Sequence, residues 1–257
     1  MIRLENPRSE SIQKFLRAQG PLGMRITGTI AEGGREVPLW VDDLTAPQMV
    51  VNTGRGWLAP LGRPEALLAK LGDMERLSAQ MEESDGYLKF SSLSLDVQKA
   101  VERRRKLIRA SPVGMFILEK KDFRPVFSTH RVESLNPKDA KTLAENSPYD
   151  QGEEYALARI TNAPTAAIRI EGELASYIVV HANGSIGMLH TMDHFRGQGL
   201  ARVVVSALVE AQFARGREAY CYIVEGNEAS ERVFESVGFK RVMDVYWSAF
   251  ERREAAP

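Results

Sequence analysis

The chain has 257 residues, enough for one large domain or two modest ones with buried cores, and two are expected. Lys plus Arg and Asp plus Glu number 34 each, so no net field draws the protein to nucleic acid or anionic lipid, and partners must be recognised locally. A single cysteine, Cys221, excludes an internal disulfide framework and a multi-cysteine zinc site, and it fits a reducing compartment.

The opening residues, MIRLENPRSESIQKFLRAQG, contain no apolar run of the kind a secretory leader needs, and Glu5 and Glu10 do not suit a transit peptide. A cytoplasmic location is expected. The most apolar windows, such as ARVVVSALVEAQFA, fall short of the roughly 20 apolar residues that span a bilayer, so no membrane segment is expected. In chain order, Met24 to Ile30 and Glu36 to Val41 read as strands joined through the turn glycines Gly33 and Gly34. A strand around Met49 to Asn52 leads through TGRGWLAPLGRP into a helix from Pro64 to Met81, with Pro64 suited to a first helical position. NTGRGWLAPLG reads as a loop that could line an acceptor pocket. GYLKFSSL follows, then a charged helix from Ser94 or Leu95 to Ile108, then the apolar strand Val113 to Glu119. Within it, ERRRK (Glu102 to Lys106) reads as the solvated side of that helix, with Val101, Leu107 and Ile108 on its apolar side.

The apolar pattern breaks over Lys120 to His130, which places the domain boundary there and gives segments 1–125 and 126–257. Asn136-Pro137 starts a helix, and a second runs from Glu153 to Ile160. Three strands follow: TAAIRI, a turn at Glu171-Gly172, LASYIVVH, a turn at Asn183-Gly184, and SIGMLHT. Asn-Gly between two alternating runs is a strong hairpin signal. After FRGQG come the helix Leu200 to Ala214, the strand EAYCYIV, the helix Asn227 to Val237, and FKRVMDVYWSAF, rich in β-formers.

The Leu200 helix has Leu200, Val203, Val204, Ala207, Leu208 and Ala211 on one face and Arg202, Ser206 and Glu210 on another. Its first-turn amides have no partner inside the helix, and the summed peptide dipoles make that end partly positive. Gly197 and Gly199 remove side chains that would hold a diphosphate away from those amides, and Arg196 adds charge in a fork suited to phosphate. Two glycines can also merely close a turn. Here they follow a hairpin strand and open a long helix, an arrangement that is neither a Walker loop nor a parallel dinucleotide unit.

LHTMDHFRGQGLA followed by EGNEASERVFESVGFKRV resembles the GNAT superfamily of acyl-CoA-dependent N-acyltransferases, whose signature is R/Q-x-x-G-x-G/A and then N-x-x-S/A ahead of an aromatic and Gly-Phe. Arg196, Gly199 and Ala201 match the first part; Asn227, Ser230, Phe234, Gly238 and Phe239 match the second. The resemblance covers roughly Arg131 to Phe250, and the whole chain is most similar to the glycine N-acyltransferase-like branch. It implies an α/β (α+β) fold with a mixed, mostly antiparallel central sheet flanked by helices, a degenerate GNAT-like domain over 1–125 and a GNAT N-acetyltransferase domain over 126–257. It implies acetyl-CoA or another acyl-CoA as co-substrate, and a small amine or amino acid as acceptor. An enzyme acting on a protein amine, and a CoA-binding sensor or scaffold without turnover, are the alternatives.

The resemblance also assigns residues. Leu189, His190 and Thr191 offer main chain to the pantetheine arm and an amide to the thioester oxygen, where developing charge is stabilised. Arg196, Gly197, Gln198, Gly199, Leu200 and Ala201 wrap the diphosphate, and Asn227 with Ser230 contacts the arm. The arm lies in a slot where the sheet splits between SIGMLHT and AYCYIV. An amine must lose a proton before it attacks. Relatives carry Glu or His at the position of Ser185, which can only hold a water, and a tyrosine acid at the position of Phe234, which has no hydroxyl. Tyr222 is left as acid or relay. Strand alternation puts Ser185, Gly187, Leu189 and Thr191 on one face and His190 with Met188 on the other, so His190 is expected to pack rather than to catalyse. Cys221 alternates with Tyr220 and Tyr222, and is expected to be a small buried hydrophobe. His181 and His194 lack partners at ligand spacing, so no metal is expected.

Overall fold

The computed structural model describes residues 1–33, 37–81, 83–148 and 151–253. The chain divides into two compact units, Met1–Gly114 with Met243–Pro257, and Met115–Val242.

The first unit opens with β1 (Ile2–Arg3), α1 (Glu10–Ala18) and α2 (Pro21–Gly33). Met24 to Ile30 is therefore helical, not a strand. Its β-branched residues are overruled by burial: Ile26 and Ile30, one turn apart, pack with Ile12 and Leu16 of α1. Gly23 permits this contact, since a Cβ there would lie 2.2 Å from the Leu16 carbonyl oxygen. The expected turn residue Gly34 and the expected strand start Glu36 lie outside the described residues; the strand itself is β2 (Leu39–Val41).

β3 (Met49–Gly54) and β4 (Trp57–Gly62) form a hairpin, so NTGRGWLAPLG is no loop. Its two-residue turn holds Arg55 and Gly56 at φ 50° and 72°, the pair of positive values that suits the twist of an antiparallel ribbon. Pro60 obscured the strand, because proline removes a ladder donor and belongs at an edge or a gap. The helix expected over Pro64 to Met81 is two, α3 (Pro64–Ala69) and α4 (Leu71–Ala79), with Lys70 out of helical geometry at φ −108° and ψ 12°. β5 (Tyr87–Leu93) and α5 (Leu95–Glu102) follow.

The helix expected to reach Ile108 stops at Glu102. Arg105 turns back to place Nε and Nη2 at 2.7 and 2.8 Å from the Glu75 carboxylate, and Leu107 and Ile108 are exposed at the start of β6 (Leu107–Leu118). Burial alone would raise the Glu75 pKa, but the hydrogen bonds from Arg105 and the Arg253 amide bring it below the usual carboxylate value. Strands β1 to β5 lie in sequence order in one sheet, antiparallel except for the parallel pair β4/β5, and β12 (Lys240–Glu251) pairs antiparallel with β5.

The second unit contains β7 (Val132–Glu133), α6 (Ala140–Glu145), α7 (Gly152–Asn162), β8 (Thr165–Ile170), β9 (Glu173–Val180) and β10 (Ile186–Thr191). Asn136 and Asp139 form a reciprocal capping box ahead of α6. β7 to β10 make an antiparallel sheet in sequence order. One face, with Ile178, Val180 and Ile186, packs on α8 (Leu200–Ala214); the other, with Ala167, Tyr177 and Val179, packs on α6 and α7. β11 (Ala219–Val224) and α9 (Glu228–Val237) complete the unit. α8 is buried more widely than its pattern implies. Ser206, expected on a polar face, is 2% exposed, and its Oγ accepts the Val126 amide at 2.9 Å.

Candidate active site

β10 is the edge strand of the four-stranded sheet, while β11 is laddered to β6, so the two strands lie side by side without a ladder between them. They are tied at their starts, where the Tyr220 hydroxyl donates to the Asn183 carbonyl ahead of β10. Away from that tie, toward Thr191 and Val224, no ladder joins the two strands, and this unladdered seam is the slot. β11 keeps strict alternation: Ala219, Cys221 and Ile223 are buried in the α8-side core, which turns Tyr220 and Tyr222 to the opposite face. Burial pushes the Cys221 thiol well above its usual pKa, consistent with a packing role rather than a nucleophile.

β10 does not keep its alternation. Gly187 pairs with Val179 but His190 with Tyr177, so one extra residue is inserted between them, and Met188 sits at φ 51°. The bulge corrects the expected parity: His190 shares the face of Gly187, Val179 and Tyr177, and Thr191 falls on the other. There the Thr191 hydroxyl meets Ser176 Oγ at 2.8 Å, and Ser176 also donates to the His190 carbonyl at 3.0 Å. The His190 ring stacks on Tyr177 with centroids 5.7 Å apart at 27°. Partial burial, with help from the Arg196 charge, holds its pKa below the ordinary value of 6.5, so the imidazole is neutral at pH 7. Burial raises the Tyr177 pKa above the usual phenol value, so that hydroxyl stays protonated. His190 and Tyr222 thus flank the slot on the side that α8 leaves uncovered.

Beyond β10, a 3₁₀ turn at Asp193–Phe195 leads to the glycine segment. Gly197 and Gly199 sit at φ 81° and 77°, where other residues are strained. A Cβ at either would meet no heavy atom within 4 Å. Glycine is therefore required by the backbone, and it leaves clear space in front of the amides of Gly197 to Ala201, which have no acceptor among the described residues. Leu200 is 1% exposed and packs into the core beneath the turn. Arg196 Nε donates to the Thr191 carbonyl at 3.2 Å and its Nη2 pairs with Asp193 at 2.7 Å, which fixes this exposed side chain beside the turn. Asn227 caps α9, its Oδ1 accepting the Ser230 amide at 3.2 Å. The structure therefore brings Leu189 to Ala201 to one end of the slot, and it puts Asn227 and Ser230 at the helix start that follows β11.

Ser185 belongs to a turn. It is 2% exposed and its Oγ donates to Asn183 Oδ1 at 2.7 Å, which spends the hydroxyl on the hairpin. Phe234 packs edge-on against Phe239, with centroids 5.1 Å apart. One cluster escaped the sequence reading, which considered His181 only as a metal ligand. The His181 ring lies over Gly187, with Nε2 only 2.3 Å from where a Cβ would be, and Tyr155 Oη of α7 meets His181 Nδ1 at 2.9 Å. The signal was the glycine inside a strand, a mark of close approach. Among the described residues, no group of three or more His, Cys, Asp or Glu could hold a metal ion, and no helix is long and apolar enough to cross a membrane.

Among solved structures, the chain superposes on a Drosophila protein with a TM-score of 0.77 at 16% identity, over 97% of this chain and 98% of that one. A tandem GNAT protein from the clavulanic acid biosynthesis pathway gives 0.60 at 14% identity, over 99% of each chain. A GCN5-related N-acetyltransferase from Kribbella flavida gives 0.62 at 12% identity, over 93% and 96%. The fold is a GNAT fold. Residues 168–248 also match the family model described as FR47-like protein, a span that holds the slot, the glycine turn and α9. No curated protein sequence matches the chain. The mixed, mostly antiparallel sheet flanked by helices is the fold expected above.

Proposed function

We propose that the protein is an acyl-CoA-dependent N-acyltransferase that passes an acyl group, acetyl first among them, directly to the amine of a small molecule or amino acid. The observation that carries this reading is the glycine turn at the start of α8: a row of unpartnered amides, with clear space before them, at the end of an unladdered slot. These groups suit a diphosphate at the turn and a pantetheine arm in the slot. Bound there, an acyl-CoA supplies an activated thioester carbonyl. The β10 bulge interrupts the regular ladder around Met188 and Leu189, and we assign the Leu189 amide to the carbonyl oxygen, where a preset donor lowers the barrier. α8 covers one side of the slot, so the acceptor enters from the side of His190. The neutral His190 imidazole takes the ammonium proton, and Tyr222 Oη gives a proton to the departing thiolate.

The test is release of free thiol by purified protein given acetyl-CoA, longer acyl-CoAs and a panel of amines and amino acids. Thiol release that depends on one amine class, with the N-acylated product seen by mass spectrometry, supports the reading. A CoA-binding module without turnover is the second reading, favoured by the packed Phe234 and the tied Ser185 hydroxyl; CoA binding with no acylation of any amine would select it.

A further inference from the structure

The acyl-transfer reading gives the Leu189 amide to the thioester oxygen, and the ladder of β10 shows what makes that amide available. The His181 amide donates to the Ser185 carbonyl at 2.8 Å, which marks these two as a hydrogen-bonded pair. Such pairs recur at every second residue of an antiparallel ladder, so Gly187 with Val179 is the next. Leu189 with Tyr177 would follow if the register continued, and the Tyr177 carbonyl would then bind the Leu189 amide. The inserted residue prevents this. His190 takes the place opposite Tyr177, and the shifted register holds from there, with Thr191 opposite Ser176 and the Met192 amide on the Ala175 carbonyl at 3.0 Å. Leu189 is left out of the ladder to β9.

The insertion is strained. Met188 sits at φ 51°, a left-handed backbone that a residue with a Cβ disfavours and that persists only where its surroundings over-determine it. Ring contacts flank it on both sides. After it, His190 stacks on Tyr177. Before it, the His181 ring lies directly on Gly187, with Nε2 and Cδ2 at 2.3 and 2.6 Å from the position of a Cβ. That ring is fixed in turn from α7. Tyr155 Oη meets Nδ1 at 2.9 Å and accepts the Ala182 amide at 3.4 Å, and the two rings are inclined by 30° with centroids 6.1 Å apart. An aliphatic side chain at 181 could cover Gly187, but it would have no hydrogen bond to fix its plane.

We infer that Tyr155 and His181 are positioning residues of the acyl-transfer site. The clamped imidazole holds β10 at Gly187, keeps the insertion at Met188, and so keeps the Leu189 amide off the Tyr177 carbonyl and directed to the thioester oxygen. Neither residue touches the substrate or moves a proton. The catalytic consequence rests on the acyl-transfer reading; the exclusion of Leu189 from the ladder does not.

The test compares the full chain with its His181→Ala and Tyr155→Phe variants by amide exchange in NMR and by steady-state kinetics with acetyl-CoA. In the parent, the Leu189 amide should exchange at least tenfold faster than those of Gly187 and His190. In His181→Ala the insertion relaxes toward the regular ladder: Leu189 exchange slows at least tenfold, and kcat falls about 10²-fold, as for loss of one oxyanion donor. The Kd for CoA stays unchanged, because the glycine turn is untouched. Tyr155→Phe removes only the hydroxyl and should move both quantities the same way by a smaller factor; it carries the comparison should His181→Ala not fold. Slow Leu189 exchange in the parent, or unchanged Leu189 exchange in the variants, overturns the inference. So does a kcat that falls only in step with CoA affinity, the mark of general loosening. Slowed Leu189 exchange in variants of a parent that acylates no amine supports the clamp and removes the acyl-transfer reading instead.

Discussion

Gly199→Ala separates the two reasons for a glycine at the mouth of α8. Gly199 is at φ 77°, and an added methyl meets no heavy atom within 4 Å, so its folding cost is the left-handed backbone term alone, about 1–2 kcal/mol. For a domain of this size that lowers Tm by about 2–8 °C. The methyl also projects into the space before the amides. A diphosphate held off one charged hydrogen bond loses roughly 1.5–3 kcal/mol, which raises the Kd for CoA about tenfold or more. Gly216 is the internal control: it sits at φ 68° beyond the opposite end of the same helix, again with nothing within 4 Å. Gly216→Ala should lower Tm similarly and leave CoA affinity unchanged. Differential scanning calorimetry and isothermal titration on both variants make the comparison. Equal Tm losses with unchanged CoA affinity in both would refute the amide cradle.

Three other outcomes are expected. His190→Gln should lower kcat about 10²–10⁴-fold and remove the acid limb of the rate profile, which must lie below pH 6.5 because the imidazole pKa is depressed; an unchanged limb would remove His190 from the mechanism. Glu75→Gln breaks the mostly buried pair with Arg105 and should cost about 3 kcal/mol by urea unfolding. The Glu75 carboxyl has a folded-state pKa below 4.5, so its contribution is present above that value and is lost as the pH falls through the lowered one; the variant should therefore be less acid-sensitive than the parent. Gly187→Ala would put a Cβ 2.3 Å from His181 Nε2, displace the ring from Tyr155, and cost about 2 kcal/mol; a loss below about 0.5 kcal/mol would contradict the packing described.

The second unit was the more legible in sequence, for a physical reason. Its strands alternate, its turns carry Glu171-Gly172 and Asn183-Gly184, and α8 runs over the residues its periodicity marks, Leu200 to Ala214. The first unit hid more. Met24 to Ile30 has β-branched residues that a helix buries against α1, and β4 contains a proline that alternation rules read as a loop. In the site, the glycine turn and the neighbouring strands could be read because backbone needs leave a glycine signature. The face of His190 could not. A single inserted residue at Met188 inverts every side chain after it, and the one hint of a bulge in GMLHT is Gly187, which fits a close backbone approach equally well. His181 and Tyr155 were hidden for a related reason: they come together across the β9–β10 turn and α7, and only Gly187 hinted at the ring above it.

Hydrogen exchange of the full chain with and without saturating CoA measures the central claim at the atoms that make it. The amides of the exposed Gly197, Gln198 and Gly199 should exchange freely in the apo protein and slow at least tenfold with CoA, and those of β10 near the bulge should follow. Binding of CoA with no protection of the α8 turn would place the nucleotide elsewhere and contradict the account.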